Sequence, residues 1–279
     1  MKPPRVITGQ RVASTNRDLH GERFSKEALE KFAAGSKRIP LHQNHDMSKP
    51  TIGYIENFRV ESDSSNVGEW VLCANVHYLV KNVDEEAFSG FSISIAEIFA
   101  GNQTNPDFEI FFAYPLYNDT NLVDSLASKF PDAAVGKWQK KGKDSSTHAL
   151  IISLVGLVLK PIWDDIYKEQ IRPQLNRLLG ILAHLNKKDI SADYVQGLFG
   201  PRGESVGAYF IPIRGKENDC FADEKVFAGV RKAHQFLFSD KKSLSVGAKT
   251  IKLLFNPKTK SFEIIHIEYA DGSDANIIQ

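Results

Sequence analysis

Residues 38–46 read RIPLHQNHD, two histidines and an aspartate directly behind a short apolar run. Imidazole is the usual general base near neutral pH, and a carboxylate or second imidazole can orient it. A base needs something to deprotonate. FSGFSISI (88–95) supplies Ser89, Ser92 and Ser94 around a Gly-Phe step, and a serine hydroxyl becomes a nucleophile when a base takes its proton. His45 and Ser92 are 47 residues apart, a separation that neighbouring strands of one small barrel can close. The rival chemistry for HxxHD is metal ligation. Tight zinc sites use three or four ligands, and no later His/Cys pair stands at ligand spacing, so neither metal nor cofactor is expected.

The elements that must position these residues are legible on either side of them. RVITGQRVAS (5–14) is β-like, and SKEALEKFAAG (25–35) is a helix. Ser25 is its N-cap, Ala28, Leu29, Phe32 and Ala33 form one apolar stripe, and Gly35 stands where a C′ glycine is wanted. RIPLHQ, TIGYIENFRVES, EWVLCANVHYL and FSISIAEIF read as strands, with SDSSNVG (62–68) as a hairpin loop between two of them. KNVDEEAFSG (81–90) reads as a helical turn leading into the last strand. GNQTNPD (101–107) has the composition of a linker. The pattern changes after it. EIFFAYPLY is a strand, NLVDSLASKF a helix, AAVGKWQKKG a strand. ALIISLVGLVL (149–159) is a buried helix or strand core, and a long helical stretch follows, interrupted at Pro161 and Pro173. ESVGAYFIPIRG is a strand, DEKVFAGVRKAHQFLF a helix, and TIKLLFNPKTKSFEIIHIEYADG a hairpin turning at Asn256–Lys260. The expected architecture is α+β in two domains. Residues 1–105, with a boundary that can extend to 115, form a mostly-β barrel with flanking helices, and residues 106–279 form an α/β or α+β domain.

Composition narrows the function. The 279 residues carry 35 basic and 34 acidic side chains, a net charge of +1. That balance lacks the basic excess of a general nucleic-acid binder, and the basic run Lys137 to Lys143 reads as a solvated strand end. The apolar segment at 149–159 falls short of the ~20 residues a spanning helix needs, so no membrane partner is expected. Cys73 and Cys220 form no CxxC pair, and MKPPRVITGQRV is too polar for a secretory leader. The expected compartment is a reducing cytoplasm.

The order VASTNRDLHGERFSKEAL, then IPLHQNHDMSKPTIGYI, then GFSISI resembles the phage prohead protease family, over about residues 5–115. These are capsid-maturation serine proteases with a herpesvirus-assemblin-like β-barrel fold. The resemblance implies that His45, in Asn-His-Asp ahead of Ile52-Gly53, is the catalytic base. It implies that Ser92, in a Gly-x-Ser-Ile stretch, is the nucleophile of an acyl-enzyme mechanism. The family has glycine two residues after the nucleophile where this chain has Ser94, which leaves Ser94 as a rival. For the third member the resemblance offers Glu109 first, with Glu97 and His42 as alternatives. It also implies a protein substrate, either a capsid- or scaffold-like chain or the protein itself. It allows a homo-oligomer, and it sets the protein in the host cytoplasm or the prohead.

The second half resists such a reading. GPRG (200–203) lacks the glycine spacing of a phosphate-binding loop. Asp164 and Asp165 point about 100° apart on a helix and suit its N-terminus better than a paired-carboxylate site. Tyr209, Phe210, Phe236 and Phe238 are expected to pack the core. The sequence leaves three functions: a maturation-type serine endopeptidase, the same fold reused in a bacterial protein, with phage defence as one setting, whose second domain is effector or sensor, and a catalytically silent binding or assembly module.

Overall fold

The structure, a computed structural model, describes residues 5–17, 21, 23–42, 47–78, 93–101, 108–114, 116–131, 133–140, 149–154 and 191–277, and four helical positions, Pro173, Asn176, Arg177 and Gly180. The turn expected at 81–90, the loop at 102–107 and most of the stretch from 155 to 190 lie outside the described residues. The fold is mixed α+β, dominated by sheet. It divides into two compact units, Met1–Glu97 with Trp138–Ser146, and Ile98–Lys137 with Thr147–Gln279.

In the first unit, β1 (Arg5–Ser14), β2 (Arg38–His42), β3 (Thr51–Ser62) and β4 (Trp70–Tyr78) form a four-stranded antiparallel sheet in the order β1-β4-β3-β2. Helix α1 (Lys26–Gly35) starts where Ser25 Oγ accepts from Ala28 N at 3.1 Å, as its sequence requires. Its end differs from expectation. Gly35 is the last helical residue, and the cap is Ser36, whose N–H donates to Phe32 O at 3.0 Å. No left-handed residue is needed because the chain leaves the helix in an extended conformation. Leu29 is fully buried in one cluster with Val12, Phe24, Leu41, Ile55, Leu72 and Val76, and Phe32 meets Phe58 edge to face at 5.4 Å.

The expected barrel does not close: among the described residues this sheet is open, with β1 and β2 at its edges. Both edge strands are built to end a sheet. Pro40, in the middle of β2, has no N–H to extend a ladder, and β1 loses register between Ile7 and Gln10 and again between Arg11 and Ala13. The FSISI strand, β5 (Ser94–Gly101), belongs instead to the edge of the larger sheet.

Asp63 ties β1 to the β3–β4 hairpin. Its carboxylate accepts from Ser65 N at 2.9 Å, Asn16 Nδ2 at 2.7 Å, Asn66 Nδ2 at 3.3 Å and the Arg11 guanidinium. The Ser65 N–H first, then the Asn16 amide, hold its pKa down to about 2. The stability this supplies is therefore complete above the ordinary aspartate value of about 3.9 and is lost as pH falls toward about 2. Urea midpoints measured from pH 5 to pH 2 should fall more steeply in the wild type than in Asp63→Asn. Parallel curves would remove Asp63 from the acid transition.

The second unit is built on a nine-stranded sheet in the order β13-β12-β11-β10-β9-β8-β6-β7-β5. Its further strands are β6 (Phe108–Ala113), β7 (Ala133–Lys140), β8 (Ala149–Leu154), β9 (Ser191–Phe199), β10 (Ser205–Ile211), β11 (Ala248–Asn256), β12 (Ser261–Tyr269) and β13 (Asp274–Asn276). ALIISL is thus a strand, parallel to β9. Its helices with described bounds are α2 (Thr120–Lys129), capped by Asp119, then α3 (Glu217–Cys220), α4 (Asp223–Ser239) and α5 (Lys241–Val246). Helix α4 crosses over between the parallel strands β10 and β11. It packs closely because position 229 is glycine: a Cβ there would stand 2.6 Å from the Phe210 ring.

Alternation along each strand separates two faces. Tyr194, Phe210, Phe255 and Phe262 bury on one, with Phe210 and Phe262 edge to face at 4.9 Å. Of the four aromatics expected in the core, Phe210 is fully buried and Phe236 packs against it from α4. Phe238 is 46% exposed, because only one stripe of α4 reaches the sheet. Tyr209 points to the opposite face. Among the described residues no helix is long and apolar enough to cross a membrane.

Candidate active site

The turn between β2 and β3 carries His45, and the segment before β5 carries Ser92; both residues lie outside the described ones. Their surroundings in the chain are described. Leu41 and Ile52, on either side of the His45 turn, are 6% and 9% exposed, and Ile93, bonded to Ser92, is 4% exposed. All three belong to one hydrophobic cluster, the core of the first unit. Burial of apolar side chains in a common core holds the segments that bear them together at low cost in ordering. Residues four and seven positions from His45 and one position from Ser92 thus belong to the same core.

His42 spans the turn. Its Nδ1 lies 3.2 Å from Lys49 O, and since a carbonyl oxygen only accepts, Nδ1 carries the proton. The ring is thereby fixed in one tautomer across the base of the turn. The ladder shifts register between Leu41 and His42, and Thr51 and Ile52 are already buried as β3 begins.

The other face of the first sheet holds an array that sequence reading missed. The Arg38 guanidinium lies 3.4 Å above the Tyr54 ring, which stacks on His77 at 4.4 Å and 10°. His77 Nε2 is 3.0 Å from Glu56 Oε1, an ion-pair distance that lies off the line of a hydrogen bond. Pairing of Arg38 with Glu56 and Tyr54 with His77 across three strands produces it. The only signal in the sequence was period-two alternation of polar residues.

Glu109 stands on β6 of the second unit, opposite Ser153 on β8. Ile110 and Phe112, one and three positions after it, point into the core, so Glu109 projects to the opposite face. Burial raises its carboxyl above the usual range. Glu97 and Ser94 lie on β5. Cys73 and Cys220 are buried, and burial pushes both thiols up, which disfavours the nucleophilic thiolate. Among the described residues no three His, Cys, Asp or Glu gather as a metal site.

The face that Glu109 shares carries several ionisable groups. One transverse row runs Glu109, Ser153, Val195, Tyr209, Lys252, His266, Asn276. Asp193 pairs with Arg214 at 3.1 Å, Glu268 with Lys252 at 3.2 Å and Asp274 with His266 at 3.1 Å. Burial, then the charges of Glu268, Asp193 and Glu109, push the Tyr209 phenol up to about 12. No protein-family model, curated protein or solved structure matches the chain. The chemistry must therefore be argued from these residues.

Proposed function

We propose that the chain is a serine endopeptidase of the prohead-protease type, with Ser92 as nucleophile and His45 as base. The observation that supports it is the shared core: Leu41 and Ile52, before and after His45 in the sequence, and Ile93, which follows Ser92, belong to one cluster. The open sheet with α1 on one face is then the described part of an assemblin-like unit. His45 takes the Ser92 proton as Oγ bonds to the scissile carbonyl carbon. Collapse of the tetrahedral intermediate breaks the C–N bond, and His45 returns the proton to the leaving amine. Backbone N–H groups beside the serine carry the oxyanion, and water then releases the acyl group. The substrate is a capsid- or scaffold-like protein or the chain itself. His42, fixed in one tautomer, suits an orienting role. Glu109 suits it less, because a carboxyl raised by burial is less ready to stabilise an imidazolium.

One observation favours a second reading, in which the fold is reused with an effector or sensor attached. The second unit has its own core and its own ionisable band, more than a maturation enzyme requires.

Labelling tests the first reading. A fluorophosphonate loses fluoride to an activated serine oxygen, and peptide mapping locates the adduct. The expected result is one adduct at Ser92, absent from His45→Ala. A folded protein that stays unlabelled, or one labelled at Ser94 alone, would sink the assignment.

A further inference from the structure

Helix α4 carries two stripes, and only one of them is spent on the core. Val226, Val230, Ala233 and Leu237 are buried in the core of the second unit. One position further on at each step stand Phe227, Arg231, His234 and Phe238, about 100° round the helix at 3.6 residues per turn. Arg231 and Phe238 are exposed, and Phe227 and His234 are partly exposed. These side chains lie against one another along the helix. The Arg231 guanidinium is 5.8 Å from the centre of the Phe227 ring, and the His234 ring stacks on Phe238 at 4.3 Å and 27°. The stripe is aromatic at both ends and basic in the middle.

Its spacing is that of a coiled-coil seam, 4-3-4 residues, and it reads the same from either end. A second α4 laid antiparallel therefore brings Phe227 of one copy to Phe238 of the other, and Arg231 to His234. The charges at the ends select that direction. Glu224 is exposed in the first turn, and Lys241 is exposed just beyond Asp240, the residue that ends the helix. A parallel pair would set like charge beside like at both ends, whereas an antiparallel pair sets Glu224 beside Lys241 twice. We propose that α4 is the seam of a homodimer, in which a second copy of this chain packs its Phe227–Phe238 stripe antiparallel against the first. Burial holds the His234 pKa below its ordinary value, so near pH 7 His234 meets Arg231 as a neutral ring that can accept a guanidinium N–H. Paired phenyl rings supply attraction, and the central polar pair fixes the register. Two facing helices cover less than the ~1,600 Å² of a standard interface, so the dimer is weak and reversible, with a Kd on the order of 10–100 µM. It does not depend on His45 or Ser92.

Sedimentation velocity of the full chain from about 5 to about 500 µM tests it, a range that brackets the expected Kd. Monomer should give way to dimer as the concentration rises. Phe238→Glu places a charge in the seam at an exposed position and should weaken association about tenfold or more. Glu224→Lys should weaken it by a few-fold, and Glu224→Lys combined with Lys241→Glu should restore it, with far-UV circular dichroism confirming the fold of each variant. A folded wild type that stays monomeric at the highest concentration overturns the proposal, whether or not anionic vesicles or another protein then bind the stripe. A dimer that Phe238→Glu leaves intact uses another face and overturns it too. A dimer unmoved by Glu224→Lys, or not restored by the charge exchange, overturns the antiparallel pairing that defines it.

Discussion

Ser92→Ala is expected to lower peptide-bond cleavage by about 10⁴-fold or more, and His45→Ala by a similar factor. Nucleophile and base act as one unit, so the double variant should be no worse than either single one. Ser94→Ala separates the rival nucleophiles, because the two serines are only two positions apart. Ser94 opens β5 at the edge of the larger sheet, whereas Ser92 precedes Ile93, which is held in the first core. Ser94→Ala should therefore keep cleavage within a few-fold of wild type. The measurement is intact-mass analysis of wild type and variants, incubated alone and with candidate capsid or scaffold chains. Fragments made by the wild type, kept by Ser94→Ala and lost in the other two establish the pair. Equal cleavage by Ser92→Ala would end this assignment.

The same residues show how far the sequence carries. Helix α1 was legible because a local rule sets each of its parts: Ser25 caps it, and one apolar stripe buries Leu29. The β11–β12 hairpin was legible for the same reason, with Lys260 taking the left-handed turn position at φ 52. Strand pairing is not local. The alternation of FSISI fits either sheet equally well, and nothing within it says that β5 pairs at the edge of the nine-stranded sheet. Strand β9 escaped notice because Gln196 occupies a buried position among Ala192, Tyr194 and Leu198. It is admitted there by the Tyr194 hydroxyl, which donates to its carbonyl. Asp63 lay in a loop correctly read as a turn. Its four donors come partly from β1 and beyond, Arg11 and Asn16, about 50 residues earlier. For the candidate site, residue type was readable from the sequence. The common anchoring of Leu41, Ile52 and Ile93 became visible only with the core. On the large sheet alternation marks the polar positions of β11 and β12 but not their burial: Lys252 and His266 are 3% and 1% exposed.

That burial makes Glu268→Gln the most damaging conservative change expected for the fold. Lys252 has a side chain 3% exposed and Glu268 one 15% exposed, with 3.2 Å between their charged atoms. Burial lowers the Lys252 pKa, and Glu268, opposing it, holds the ammonium in its charged form. Removing one partner of a buried pair leaves the other charge desolvated, at a cost of about 3–5 kcal/mol. The residual exposure of Glu268, and the Asp274 charge that also supports Lys252, place the expected loss near the lower end, about 3 kcal/mol. The pH dependence has a definite sign. A lysine whose folded pKa lies below its unfolded value of about 10.4 binds fewer protons when folded, so stability rises with pH through that window. Without Glu268 the depression deepens, so the deficit measured by urea unfolding should shrink between pH 7 and pH 9.5. Replacing both partners, as Lys252→Met with Glu268→Leu, removes the buried charge altogether and should restore most of the loss. A deficit under about 1 kcal/mol at pH 7, the range of exposed pairs, would mean that water reaches Lys252. The polar face would then be a solvated surface rather than a second, charge-paired layer of the sheet.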